Sequence, residues 1–119
     1  MLYLKSFVYR NYIPIFGICL IKMRIVTFKR IQDFCDRQPD VAVALQVWYQ
    51  KTSKAEWHTL TDIRRMFNSA DYVGNNRYVF NIKGNHYRLV TIIIFASQKI
   101  YIRFIGTHTE YDKIDCRTI

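Results

Sequence analysis

Apolar and polar positions change rhythm twice along this chain, and each change marks a different kind of structure. Met23–Thr27 alternates over a short run, the pattern of an edge strand. From Phe28 the spacing turns helical: Phe28, Ile31, Phe34 and Cys35 recur near one face, with Thr27 as the expected cap and Pro39 as the stop. Asp40 is expected to cap a second helix, along which Val41, Ala44, Leu45 and Trp48 repeat at helical spacing. A tight connection makes these two helices antiparallel neighbours. A polar stretch, Gln50–His58, carries Trp57. The run Thr59-Leu60-Thr61-Asp62 then resembles a capping box with Asp in place of Glu. It opens a short third helix with Leu60, Ile63 and Phe67 inward. Asn68–Asn76 reads as irregular and ends in the turn signal Gly74-Asn75-Asn76.

The last third has the rhythm of strands. Arg77–Ile82 alternates, with Tyr78, Phe80 and Ile82 on one side. Lys83-Gly84-Asn85 turns the chain into a long β-branched run, His86–Phe95. Ala96-Ser97 turns it again into Gln98–Gly106, and His108–Ile114 closes with a turn of helix. Short connections between β-rich runs predict an antiparallel meander. The fold class is therefore α+β: N-terminal short helices packed on one face of an antiparallel β-sheet, the other face left for function.

Composition narrows the function classes. The chain has 119 residues, half of them hydrophobic and 16% aromatic, which gives one domain with a core and argues against disorder. Lys and Arg number 18 against 9 Asp and Glu, a net charge of +9 that favours an anionic partner, nucleic acid first. Cys19, Cys35 and Cys116 stand far apart, without C-x-x-C or metal-ligand spacing. That leaves no support for a disulfide framework or a zinc site and suits a reducing, cytoplasmic compartment. The longest apolar stretches, Tyr12–Ile21 and Leu89–Ala96, are too short to span a bilayer, so no membrane partner is expected.

Residues 1–22 read differently from the rest. Lys5, Arg10 and Lys22 surround NYIPIFGICLI, superficially like a signal peptide but without a small-residue cleavage pair. We expect 1–22 to be an extension outside the fold, with Met23 the natural start and 23–119 the domain; a real hydrophobic arm is the alternative. Without the tract, 15 basic residues still face 9 acidic ones.

Period-two alternation puts His86, Arg88, Val90, Ile92 and Ile94 on one face of the long strand, and Tyr101, Arg103 and Ile105 on one face of the last. Arg88 and Arg103 thus lie inside hydrophobic runs, where a guanidinium is either paired with a carboxylate or waiting for an anion. Past Gly106, which allows a sharp exit, His108, Tyr111 and Lys113 crowd within about one turn. His108 is suited to moving protons, with a capping or surface role as the alternative. Tyr111 orients or donates, or simply packs; Lys113 offsets phosphate charge, or is merely solvated. Arg, His, Tyr and Lys without clustered acids form a phosphate-handling set that lacks the carboxylates of two-metal nucleases. No metal and no cofactor are expected.

The tracts NNRYVFNIKGNHYRLV (75–90) and YIRFIGTHTEYDKI (101–114) resemble the HigB toxins of type II toxin–antitoxin systems, a branch of the RelE-like mRNA interferase superfamily. The resemblance extends back through MRIVTFKRIQDF and AEWHTLTDIRRMF, covering about 23–119. It implies a RelE-like fold and ribosome-dependent cleavage of mRNA that inhibits translation; the acid-poor residue set above makes that cleavage metal-independent. The products would carry 2′,3′-cyclic phosphate and 5′-hydroxyl ends. It also implies neutralisation by a HigA-type helix-turn-helix antitoxin, action at the ribosome A site, and operator DNA contact only through the antitoxin. In Tyr87-Arg88-Leu89-Val90, Arg88 inherits the scissile-phosphate role; in Gly106-Thr107-His108, His108 inherits the catalytic one. Arg103 and Tyr111 transfer more loosely, and Lys83 is the nearest counterpart by position of a backbone-gripping lysine, with Lys113 beside the site. Two other classes compete. A non-catalytic basic module could block translation by occupying RNA or ribosome. A DNA-binding repressor acting alone is poorly supported, because no basic recognition helix is visible.

Overall fold

The structure is a computed structural model describing residues 22–119, so the expectation for the N-terminal tract falls, Lys22 apart, outside the described residues. The elements run β1 (Arg24–Val26), α1 (Phe28–Arg37), a 3-10 turn (Pro39–Val41), α2 (Ala42–Ser53) and α3 (Leu60–Met66). There follow β2 (Asp71–Gly74), β3 (Arg77–Ile82), β4 (Tyr87–Ile94), a second 3-10 turn (Phe95–Ser97), β5 (Lys99–Thr107) and α4 (His108–Tyr111). The strands form one sheet in the order β1-β5-β4-β3-β2. The expected α+β architecture holds, with β1 at an edge. All pairs are antiparallel except β1 with β5, which is parallel. A parallel pair needs a long connection, and here nearly the whole domain lies between its two strands.

One face of the sheet carries the core. Leu89, Ile93, Ile100 and Ile102 are essentially sealed from solvent, as are Ile31, Leu45 and Trp48 from the helices. Phe80 anchors an aromatic cluster: Trp48 meets it edge-on at 5.4 Å, Phe67 edge-on at 5.5 Å, and Trp57 stacks on it at 6.1 Å. Each well-packed aromatic pair contributes about 0.5–1.5 kcal/mol beyond its buried area. Cys35 is buried in the same core, and desolvation pushes its thiol up to about 11, which keeps it unreactive.

Several local expectations meet a different outcome. Thr27 makes no side-chain cap; its backbone is left-handed, with φ of 69°. Asp40 does not cap a helix either. Pro39 starts the 3-10 turn that runs straight into α2, and the Asp40 carboxylate accepts from Lys83 Nζ at 2.9 Å and from Tyr87 Oη at 2.9 and 3.0 Å. The second helix persists to Ser53, because Thr52 and Ser53 are buried rather than solvated. Asn68–Asn76 contains a strand: β2 has almost no buried side chain of its own and is held by pairing with β3. The turn between them is as expected. Asn75 and Asn76 both take positive φ, 51° and 62°, the requirement of a tight hairpin turn. The capping box at Thr59 is present, with Thr59 Oγ1 accepting from the Asp62 amide at 3.2 Å and Asp62 accepting in return from Thr59 N.

The Asp40 contacts set an acid limit on stability. Hydrogen bonds from Lys83 and then Tyr87 hold the Asp40 carboxyl below its ordinary value, and backbone donors do the same for Asp62. A depressed carboxylate contributes stability that is complete above the unfolded value of about 3.9 and is lost as pH falls through the folded one. The melting temperature is expected to drop as pH falls below about 4. Asp40→Asn should flatten that drop and lower stability at neutral pH; an unchanged acid profile would count against the Asp40 contribution.

Candidate functional site

The register of the strands decides what faces away from the helices. Val79 and Asn81 of β3 stand opposite Val90 and Arg88 of β4, and Gly106 of β5 stands opposite Arg88 on its other side. This face is not bare. Val79 and Val90 point to it and are buried, and residues 108–119 return across it. The returning segment is tied down where Asn75 Nδ2 donates to the Arg117 carbonyl at 3.2 Å and Arg77 Nη2 to the Ile119 main-chain oxygen at 2.7 Å. The face left for function is narrowed to a cleft. It measures about 480 Å³ and is lined by Arg64, Asn68, Ser69, Ala70, Asp71, Val79, Asn81, Arg88 and Tyr111.

Arg88 is the unusual residue of that cleft. Its Nη1 is buried and has no hydrogen-bond partner, and no carboxylate pairs with it among the described residues. Of the two alternatives left open by the sequence, the internal ion pair is not the one realised. The guanidinium lies over the Tyr111 ring, 5.7 Å from its centroid, a contact that orients the cation without neutralising it. Tyr111 in turn donates to Cys116 Sγ at 3.4 Å, and desolvation followed by that hydrogen bond pushes its phenol up to about 12. Near neutral pH Tyr111 is therefore a proton-bearing donor and not a base.

The remaining expected residues do not all converge. His108 opens α4 on the same turn as Tyr111, half exposed, with Nδ1 3.4 Å from Asp112 Oδ2. Arg103 stands apart: its Nε donates to the Ile119 main-chain oxygen at 3.3 Å, and the Arg103 carbonyl accepts from Arg30 Nη1 at 2.7 Å. The cause is a β-bulge. Val90 faces Phe104 and Thr91 faces Ile102, so Arg103 is the extra residue on β5. Beyond the bulge the alternation inverts, which corrects the expected grouping of Tyr101, Arg103 and Ile105. Phe104 and Gly106 share the face of Arg88, while Ile105 packs against the core. Lys83, in the β3–β4 turn with φ of 53°, is paired with Asp40. Lys113 is exposed. Arg64 and Asn81 are cleft residues that sequence reasoning missed; the first lay on a helix read only for its packing face. Also missed was Thr107-His108-Thr109-Glu110, a second capping box, whose Glu110 Oε1 accepts from Thr107 N at 2.8 Å. That box aims α4.

Gly106 matters for contact more than for a sharp exit. A Cβ there would come within 2.7 Å of Phe104 Cζ and 3.0 Å of Glu110 Oε1. Gly106→Ala should push on the carboxylate that caps α4, cost about 1–3 kcal/mol as overpacking does, and shift the Tyr111 ring resonances in an NMR spectrum. An unperturbed spectrum and melting temperature would contradict this.

Comparison with known proteins bears on this geometry. Residues 41–114 match a family described as HigB_toxin, the RelE-like toxic component of a toxin-antitoxin system. The mRNA interferase toxin HigB of Escherichia coli (strain K12) is 33% identical over 93 residues, covering 76% of this chain and 88% of the relative. The chain belongs to the HigB toxin family. The mRNA interferase HigB of Shigella flexneri matches to the same extent, and that of Escherichia coli O6:H1 is 27% identical over 94 residues, 77% of this chain and 91% of the relative. As the toxic component of such a system, a HigB-family chain has an antitoxin as its partner. The matched stretch takes in Arg64, Arg88, His108 and Tyr111, so both walls of the cleft lie within the HigB homology. Among the described residues no three His, Cys, Asp or Glu side chains stand together as a metal-ligand set, and no helix is long and apolar enough to cross a membrane.

Proposed function

We propose that this chain is an mRNA endoribonuclease that cuts transcripts at the ribosome A site and so arrests translation in the cytoplasm. The observation that carries the reading is Arg88: a partly buried guanidinium with an unpartnered Nη1, on the floor of a polar cleft, held by Tyr111 and by no carboxylate. A guanidinium held in a cleft without a carboxylate keeps its charge for an anion, and a phosphoryl oxygen entering the cleft would meet the part of the side chain that lines it. The names of the HigB relatives as mRNA interferases support RNA as the source of that phosphate.

The reaction is attack of the RNA 2′-hydroxyl on the adjacent phosphorus, which breaks the bond to the 5′-oxygen and leaves a 2′,3′-cyclic phosphate and a 5′-hydroxyl. Arg88 neutralises charge growing on the phosphoryl oxygens. His108 takes the 2′-hydroxyl proton as base or gives one to the departing 5′-oxygen as acid, the other transfer being with water, and Asp112 beside Nδ1 orients the ring and leaves Nε2 for the substrate. Tyr111, fully protonated, stacks a base, and would donate to the phosphate only by releasing Cys116. Lys113 holds the backbone. Lys83 would join it only by releasing Asp40, and Arg103 would assist Arg88 only by releasing Ile119. The charge and the proton transfer come from side chains, so the chemistry proceeds without a metal. A HigA-type helix-turn-helix protein is the proposed antitoxin, with operator DNA reached through it alone. We further propose that 23–119 is the toxin domain and 1–22 an extension to it.

The test is purified protein on one transcript, free and under translation, with and without a chelator. New 5′ ends within codons, only on translated message and indifferent to chelator, are the expected result. Arrested translation with intact message would replace cleavage by occupancy, and chelator sensitivity would remove metal independence.

A further inference from the structure

The cleft has two walls, and so far only the sheet wall has a role. The other is built from the last turn of α3 and residues 68–71, and it carries a second guanidinium. Arg64 Nε donates to the Ala70 carbonyl at 3.0 Å, which fixes the head at the rim, and Nη2 lies 3.4 Å from Asp71 Oδ1. Those contacts use part of the fork only. No described residue accepts from Nη1, and the side chain stays 49% exposed. Arg64 and Arg88 thus face one polar cleft from a helix and from a strand, with Asn81 and Tyr111 beside Arg88.

Resting on the RNA reading of this cleft, we infer that Arg64 is a second phosphate contact, gripping the nucleotide next to the one at Arg88, and that Asp71 competes with RNA for it. A planar fork suits a phosphate, since it can offer two parallel N–H groups at once. The Nε bond to Ala70 removes part of the entropy cost of ordering a long side chain. Asp71 works against binding twice: it occupies Nη2, and it places a negative charge where a phosphate must enter. Its field also reaches Tyr111, where it adds to the upward push on the phenol. Arg64 lies away from the scissile bond, so it is a positioning residue that acts on binding and not on the chemical step.

The experiment measures the full chain against a fluorescein-labelled, fully 2′-O-methylated single-stranded RNA of about 12 nucleotides, by anisotropy over a range of salt, and cleavage kinetics alongside. Arg64→Ala should weaken binding roughly tenfold and reduce the log–log salt slope by about 0.7, the value of one phosphate contact on a single strand. KM should rise with kcat unchanged. Arg64→Lys should restore the slope but only part of the affinity, because a point charge lacks the fork. Asp71→Asn should tighten binding about threefold or more, an order-of-magnitude effect for one surface-level charge, and the gain should vanish when Arg64 is also Ala. A wild-type slope in Arg64→Ala, an Asp71→Asn gain that survives without Arg64, or no binding of the probe by the wild-type chain would each overturn the inference. Arg88→Ala separates the two levels. If it cuts normally, the RNA reading of the cleft fails. If it is dead while Arg64→Ala behaves as wild type, only the second contact fails.

Discussion

Arg88→Ala is expected to remove mRNA cleavage, by at least about 10³-fold, the scale seen when a guanidinium serving transferred phosphoryl oxygens is lost, and to leave the protein folded. The half-buried side chain carries a charge that no carboxylate offsets, with Nη1 buried and unpartnered, so its attraction for a phosphoryl oxygen in the cleft is stronger than at an open surface. The same isolation makes it a poor stabiliser of the fold. No ion pair is broken on its removal, and an unsatisfied donor disappears. The melting temperature should therefore move by less than about 5 °C, the shift that ~1 kcal/mol produces in a domain of this size, or even rise. Arg88→Lys should recover little, because a point charge does not reproduce the fork. Toxicity on induction in cells and cleavage of a translated transcript are the two readouts. A folded Arg88→Ala protein that still arrests growth by cutting mRNA would remove the reaction centre proposed for this cleft.

His108→Ala should reduce cleavage by about 10²–10⁴-fold, the usual contribution of a proton transfer, with stability unchanged because the imidazole is half exposed and its one described side-chain partner is Asp112. Asp112→Asn should have a smaller effect of the same sign, since it removes the group that orients the ring and leaves the ring in place. Antitoxin binding should survive in both variants. The separation of activity from folding is what distinguishes this role from a mere surface histidine at the start of α4. If His108→Ala cut at the wild-type rate, Tyr111, which bears its proton up to about pH 12, would be the next candidate for the acid.

Much of the fold was legible because it depends on short-range rules. The β3 limits, Arg77–Ile82, follow from strict alternation and from turn residues on both sides. The α1 face of Phe28, Ile31, Phe34 and Cys35 follows from a period near 3.6, and all four are buried. The Thr59–Asp62 box follows from a local hydrogen-bond pattern. The failures share a cause. β2 exists through β3 and not through its own side chains. Asp40 had a good local use as a cap and went instead to Lys83 and Tyr87, 43 and 47 residues away.

The candidate site divides in the same way. Arg88 and His108 could be named from the sequence, because an arginine inside a hydrophobic strand and a histidine after a Gly-Thr exit are anomalies that a linear reading exposes. Whether Arg88 would find a carboxylate was open, and only the packing of residues 108–119 over the sheet answers it. Arg103 looked like the twin of Arg88, yet one extra residue in β5 sends it to Ile119; a bulge is a property of two paired strands and leaves little mark on either alone. Arg64 carried no signal at all, since its nearness to Arg88 is created by α3 docking at the edge of the sheet. Sequence by itself determined the elements, the core faces and the chemical inventory, because these depend on neighbours along the chain. The tertiary structure alone decided which charges stay unpaired and share a cleft, because pairing depends on neighbours in space.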